Sequence, residues 1–370
     1  MSGFDCSRYK SLNGKESYFF SLALLCFQSS LTDSASKLIY MRAVIIISVF
    51  VLFSSCQNQV CRKTAKLEVE GYELSLQRKE KELFAATSLS DVVTFLRDNP
   101  VIANQIFYLS EYPDTVVLAE RIFGLVSQPS IDTLYQESVM AFELNETQLV
   151  SDLDRAFSLF KHFYPEAPVP KIQTIVTGLY HDMYISDETL IIGTDYFIGQ
   201  QATYRANDIP AYILERYTYD YLAPTIMKFF VNPWLATGKE STVLSEMIDF
   251  GKTYYLLSQL FPCTPEYEII GYSAKSMTDV NANHSIIWAN FIQNEWLYET
   301  SDVTKKKFLG DRPNVYEIGD KCPGRIGAWV GWQIVKSYAE KSGLSVQEIV
   351  AETDHHKLFT ESGYKPIDIK

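Results

Sequence analysis

Apolar residues recur at helical spacing through much of the chain. Leu149, Leu153, Phe157 and Phe160 lie on one face of a helix predicted over residues 145–168. Two prolines near its end predict where this helix stops. The same spacing predicts further helices over residues 67–86, 89–100, 209–230, 241–261, 282–300, 323–343 and 345–352.

The period changes between residues 171 and 199, where β-branched and aromatic residues dominate. We expect Ile172, Val176, Tyr184 and Ile191 to be buried there, in two or three antiparallel strands separated by turns. Ser90 is the expected N-cap of the helix over 89–100. The pattern as a whole predicts an α+β fold that is mostly helical, with a small antiparallel sheet near residues 171–199.

A short apolar run, residues 43–53, precedes this body. It is too short for a transmembrane helix, which needs about 20 residues, and it follows Arg42 as the apolar region of a signal peptide follows a positive residue. The run ends in Phe-Ser-Ser-Cys, which resembles a bacterial lipobox, so Cys56 is the expected lipidation site. The alternative is a buried helix or strand with a chance cysteine.

This interpretation divides the chain into three parts. Residues 1–55 comprise an extension, residues 1–40, followed by a signal peptide. The extension is either an artefact, with translation starting at Met41, or a long leading region of the signal peptide. Residues 56–66 form a polar tether, and residues 67–370 form a single body. The tether has no acidic residue, which favours an anchor that faces the periplasm, and we expect that anchor in the outer membrane.

The charge of the chain narrows its possible partners. The formal net charge is −12, and the 55 residues before Cys56 hold five Lys/Arg and three Asp/Glu, so their removal gives −14. A protein this acidic is not expected to bind nucleic acid, whose phosphates require basic surfaces. It would also be repelled by anionic lipid head groups, so membrane attachment depends on the acyl anchor.

Cys263 and Cys322 both lie in proline-flanked loops, and an oxidising envelope compartment permits disulfides. We therefore expect a Cys263–Cys322 bridge, the alternative being two unpaired thiols. Because the sequence has no CxxC pair, it does not predict a structural zinc site.

No catalytic motif is apparent in the sequence. The five histidines include no HExxH, and the adjacent His355 and His356 would point about 100° apart on a helix. GxSxG and P-loop motifs are also absent. We expect no metal, no cofactor and no catalytic residue.

Glycines 324, 327 and 331 are spaced so that another element can approach one helix closely. Arg325 lies at the N-terminus of that helix, where the dipole disfavours a cation. We expect it to pair with a carboxylate, for a structural role or as part of a ligand site.

Several segments, in this order and spacing, are similar to the gliding motility lipoprotein family GldB of Bacteroidetes. After the lipobox they read IIGTDYFIG, IPAYILERYTYDYLAP, MIDFGKTYYLLSQLFPCTP, IIGYS and PGRIGAWVGWQIVKSY. The resemblance implies a lipid-anchored envelope protein whose partners are motility or secretion proteins.

The family in turn resembles predicted zinc proteases, in which the helix after the sheet carries HExxH. Glu215 stands where the catalytic base would be, but Leu214 and Thr218 replace the histidines. The resemblance therefore implies a zincin-like scaffold without its metal ligands, a pseudoenzyme with a supporting role in motility or secretion. Two alternatives stay open: an unusual hydrolase that uses Glu215, and an envelope protein that binds glycan or peptide through its Tyr/Trp-rich helices.

Overall fold

The computed structural model describes residues 61–62, 66–207 and 209–366. The expectations for residues 1–55, for Cys56 and for most of the tether therefore lie outside the described residues.

The described part of the chain is built mainly of α-helices, numbered in chain order, with a small set of strands. The helices are α1 Lys79–Phe84, α2 Leu89–Asp98, α3 Thr115–Val126, α4 Pro129–Phe163, α5 Ala211–Leu214, α6 Tyr219–Val231, α7 Val243–Leu260, α8 Glu266–Ile270, α9 Ala274–Ala282, α10 His284–Gln293, α11 Asp302–Leu309, α12 Ile326–Ser342, α13 Val346–Ala351 and α14 His355–Ser362. The strands are β1 Leu76–Arg78, β2 Lys171–Ile175, β3 Met183–Ile185 and β4 Thr189–Gly193.

Two long helices, α7 and α12, cross at the centre of the body. They approach closely because each carries a glycine at the crossing. A Cβ on Gly331 would lie 1.7 Å from the Met247 carbonyl oxygen, and a Cβ on Gly251 would lie 2.4 Å from the Gly331 carbonyl carbon. Trp329 and Trp332 of α12 are buried in the main core. The close approach predicted from the glycine spacing is thus confirmed at Gly331.

The sheet has four strands in the order β1-β2-β4-β3 and is mixed. β1 and β4 both run parallel to β2, and only β3 pairs antiparallel, with β4. The α+β, mostly helical prediction is confirmed, but the expectation of an antiparallel sheet is wrong for these two parallel pairs. One pair involves β1, which lies far upstream of residues 171–199 and occupies an edge beside β2. The other arises because β4 lies between β2 and β3, so that β2 pairs with β4 and not with β3, the next strand along the chain.

The two faces of the sheet belong to different cores. Ile172, Leu190 and Ile192 face the main core, whereas Ile175 and Ile191 pack against a smaller cluster built on α2, α3 and the segment between them. Of the four residues that the sequence predicts as buried, Ile172, Val176 and Ile191 are fully buried, and Tyr184 is partly buried against the smaller cluster.

Several helix boundaries differ from the predicted ones. α2 begins at Leu89, as predicted, but its N-cap is Ser88 and not the expected Ser90, because Ser88 accepts the Asp91 amide and completes a capping box. α4 begins at Pro129 and not at residue 145, so it is far longer than predicted. Proline is accepted in the first turn of a helix, because an N–H there would have no partner within the helix. Residues 67–86 contain β1 and the short α1 instead of one long helix. Among the described residues, no helix combines the length and the apolar character needed to cross a membrane.

The disulfide of the described region joins Cys61 to Cys263. The expected Cys263–Cys322 bridge is therefore wrong. Cys322 is buried as a free thiol, and burial raises its pKa to about 12. Pairing with Cys61 draws the start of the described chain onto the loop between α7 and α8.

Arg62 reinforces this attachment. Its amide donates to the Pro262 carbonyl oxygen at 2.8 Å, and its guanidinium meets the Glu266 carboxylate at 3.3 Å. Glu266 also accepts from Lys336 of α12 at 2.6 Å.

Candidate functional site

Arg325 is the centre of a polar cluster at the N-terminus of α12. It adopts a left-handed backbone conformation, with φ of 59°, and its side chain is buried. Nη1 donates to the Ile270 carbonyl at 2.6 Å and to the Tyr254 hydroxyl at 3.1 Å, and Nη2 donates to the Gly271 carbonyl at 2.9 Å. Nε lies 3.0 Å from the carboxylate of Asp311. The carboxylate partner expected for Arg325 is thus confirmed.

Asp311 is shared between two guanidinium groups, because Arg216 also lies 3.0 Å from the same oxygen. Burial alone would raise the pKa of Asp311, but Arg325 and Arg216 outweigh it and hold the pKa below its usual range. Its side chain is still 48% exposed, so the carboxylate is also open to the solvent.

Two adjoining cavities meet at this cluster and share Arg216, Gly271, Asp311 and Arg325 as a common wall. We call them the inner and the outer cavity. The inner cavity has a volume of about 170 Å³ and the outer about 310 Å³. The inner cavity is also lined by Asp182, Met183, Phe197, Ile213, Tyr217, Thr225, Lys228, Phe229, Glu268, Ile269 and Ile270. The outer cavity is also lined by Gln200, Tyr212, Glu215, Tyr221, Tyr272, Ser273, Ser276, Arg312, Pro313, Pro323 and Gly324.

Lys228 of α6 brings a third cation to the inner cavity. Within the described part of the chain it forms no ion pair, and its ammonium lies 5.4 Å from the centre of the Phe229 ring. Burial would raise the pKa of the nearby Tyr254 phenol, but Lys228 and Arg325 lower it. The ammonium therefore acts on the same cluster as Arg325.

Glu215, which the sequence resemblance leads us to expect at the position of a protease base, lies at the edge of the outer cavity. It is exposed and follows the single turn of α5, whereas α6 begins only at Tyr219. Leu214 and Thr218 thus flank a break in the helix. An HExxH site needs both ligands on one helical face, so here the backbone differs from that arrangement as well as the side chains.

The histidines are dispersed. His355 is buried and its Nε2 lies 2.9 Å from Asp249, which also pairs with the buried Lys252 at 2.8 Å. His284 contacts Tyr364 instead. In the region that the structure describes, no three His, Cys, Asp or Glu side chains are placed to hold a metal ion.

Sequence reasoning found Arg325 and Glu215 but missed Arg216, Lys228 and Asp311. Arg216 stands 95 residues from Asp311, and no local motif connects them. The one signal in the sequence was Arg325, a cation at the N-terminus of α12. It predicted a carboxylate partner but not which residue supplies it.

The family model described as gliding motility protein GldB matches residues 60–366. No curated protein and no solved structure matches the chain. The match covers most of the sequence, including every residue of the cluster and both cavities. The chain therefore belongs to the GldB family of gliding motility proteins.

Proposed function

We propose that this GldB-family protein is a lipid-anchored envelope protein that supports gliding motility, or the associated protein secretion, by binding and not by catalysis. Cys56 would carry the acyl chains, and the body would face the periplasm from the outer membrane. The acidic character of the chain favours this kind of attachment, because anionic lipid would not hold the body by charge.

One observation carries the non-catalytic part of the proposal. A zincin-like protease would have a metal-binding helix at this place in the sequence, but this chain has a helix break at 215–218 beside an Arg216–Asp311–Arg325 cluster. Asp311 is held ionised by two guanidinium groups, which makes it a poor general base. Such a cluster suits the binding of a polar ligand at the cavity walls.

The test is complementation in the native host. Deletion of the gene is expected to reduce gliding or, in a host that does not glide, the export of secreted proteins. Glu215→Gln keeps the size of the side chain but removes its basicity, and we expect it to restore the phenotype fully. Loss of function in Glu215→Gln at normal protein level would instead favour the hydrolase. If the deletion affects neither gliding nor export, the proposed role in motility and secretion is contradicted.

A further inference from the structure

Three cations line the inner cavity, and they differ in how many of their donors already contact protein acceptors. Arg325 already directs four of its N–H donors to protein acceptors. Arg216 uses one nitrogen for Asp311, and a guanidinium has five N–H donors. Lys228 has no ion-pair partner in the described region. Arg216 and Lys228 are therefore the two cations with donors left for a ligand.

The acidic residues of the inner cavity do not occupy the remaining donors of Arg216 and Lys228. Asp182 accepts hydrogen bonds from the Tyr217 hydroxyl and the Met183 amide, both at 2.8 Å. Glu268 is partly buried, and burial raises the pKa of this carboxyl, which also hydrogen-bonds to Tyr267. Asp311 already neutralises one of its two guanidinium partners. The three carboxylates match the three cations in number, but Asp182 and Glu268 form no ion pair with Arg216 or Lys228 in the described region, so the open donors of these two cations remain available to an added anion.

The side chains that line the two cavities indicate what kind of molecule the anionic group belongs to. Apolar side chains line the inner cavity beside the cations, among them Ile213, Phe229 and Ile269. The outer cavity, beyond the shared wall, offers the polar groups of Tyr212, Ser273 and Ser276. This arrangement fits an apolar side chain next to a carboxylate in the inner cavity, and a polar backbone that continues through the outer one.

We propose that Arg216 and Lys228 bind the C-terminal carboxylate of a peptide whose last residue is apolar. Arg216 would receive the carboxylate through its planar donors, and Lys228 would add a point charge on the other side. The peptide backbone would lie against the polar wall of the outer cavity. This inference rests on the binding role proposed for the protein and specifies its ligand.

The test is fluorescence anisotropy on the full mature protein in detergent. The probe is a fluorescein-labelled pentapeptide, Ala-Ser-Ala-Ser-Leu, with a free carboxylate, compared with the same peptide as a C-terminal amide. The free acid is expected to bind at least about tenfold more tightly, because the amide removes the charge that the site recognises. Lys228→Met is expected to weaken the free acid about tenfold.

Lys81→Met is the matched control, since Lys81 lies on α1 and lines neither cavity. It should leave the affinity unchanged, and circular dichroism should be the same for both variants. Equal binding of acid and amide, no binding of either, or an unchanged Lys228→Met would overturn the inference. Competition by inorganic phosphate at the peptide's own concentration would also overturn it, by revealing a general anion site. None of these results bears on complementation by Glu215→Gln, so the two proposals fail separately.

Discussion

Arg325 brings a positive charge into the body of the protein and meets four acceptors there. Removing its side chain would leave the buried Tyr254 hydroxyl and the Ile270 carbonyl without their donor, and each buried polar group left without a partner costs about 1–3 kcal/mol. We expect Arg325→Met to lower the free energy of unfolding by about 3 kcal/mol, with little of the loss due to the half-exposed Asp311. Arg325→Lys should recover little, since one ammonium cannot reach acceptors arranged around a planar fork.

Urea unfolding of both variants measures this effect. Arg312→Met is the control, because Arg312 is partly exposed and its pair with Glu317, at 3.3 Å, belongs to the surface. That change should cost about 1 kcal/mol or less. Equal losses for Arg325→Met and Arg312→Met would contradict the role given to Arg325.

Asp311 gives the cluster a pH dependence of defined sign. Burial opposes its ionisation, but Arg325 and Arg216 lower its pKa in the folded protein. The resulting stabilisation is present above the unfolded-state value, about 3.9, and is lost as the pH falls through the lower folded value. Because nearly half of the side chain is exposed, solvent screening keeps this contribution small.

We therefore expect wild type to be more stable than Asp311→Asn at pH 7, with a difference that shrinks below about pH 4. Urea midpoints at pH 7, 5 and 3.5 measure it. A difference that stays constant over this range would mean that Asp311 acts through packing and not through its charge.

At the scale of elements, the crossing of α7 and α12 depends on glycine. A Cβ on Gly331 would stand 1.7 Å from the Met247 backbone oxygen, so the helices would have to separate. We expect Gly331→Ala to destabilise the protein by about 3 kcal/mol or more, at or above the usual cost of overpacking. Calorimetry or urea unfolding measures the loss.

Gly124 of α3 provides the matched control. It is exposed, and a Cβ there would meet nothing within 4 Å. Gly124→Ala should therefore stabilise the protein by up to about 1 kcal/mol, from helix propensity alone. If both substitutions change stability by the same amount and sign, the close crossing is not the cause.

The disulfide joins two elements that are remote in sequence, with a separation of 202 residues. In the chain-entropy description, closing a loop of this length restricts the unfolded chain by up to about 5 kcal/mol. Cys263→Ser is expected to lose a large part of this stabilisation, and reductant should reproduce the loss in wild type but not in the variant. An unfolding curve of wild type that reductant leaves unchanged would show that the bridge does not form.

The same elements explain which predictions succeeded. The apolar stripe of α4 was readable because Leu149 and Phe157 repeat at a helical period, and both are buried. β1 was not readable, because three residues are too few for a period and its partner, β2, begins at Lys171. The disulfide failed for a similar reason. Flanking prolines located the loops of Cys263 and Cys322, but only tertiary packing brings Cys61 to Cys263.

For the whole molecule, the attachment of Cys61 to the body affects how a lipid anchor would hold it. Four residues separate Cys61 from Cys56, and the five residue steps between the two cysteines span at most about 18 Å when extended. If Cys56 carries the acyl chains, the loop that contains Cys263 stays within roughly this distance of the bilayer surface. The effective tether would then be shorter than residues 56–66, and the body would be restricted in orientation.

This arrangement depends on Cys56, and the chain offers a matched cysteine to test it. Cys26 also follows an apolar segment, residues 18–25, but lacks the small residues that precede Cys56. We expect Cys56→Ala to abolish incorporation of labelled fatty acid and to move the protein from the membrane to the soluble fraction, because the body alone has no attraction to anionic lipid. Cys26→Ala should change neither result, since residues 1–55 would be absent from the mature chain. If Cys56→Ala stays in the membrane and keeps its fatty-acid label, lipidation at Cys56 is contradicted. If Cys26→Ala loses the label, Cys26 is the lipidated residue.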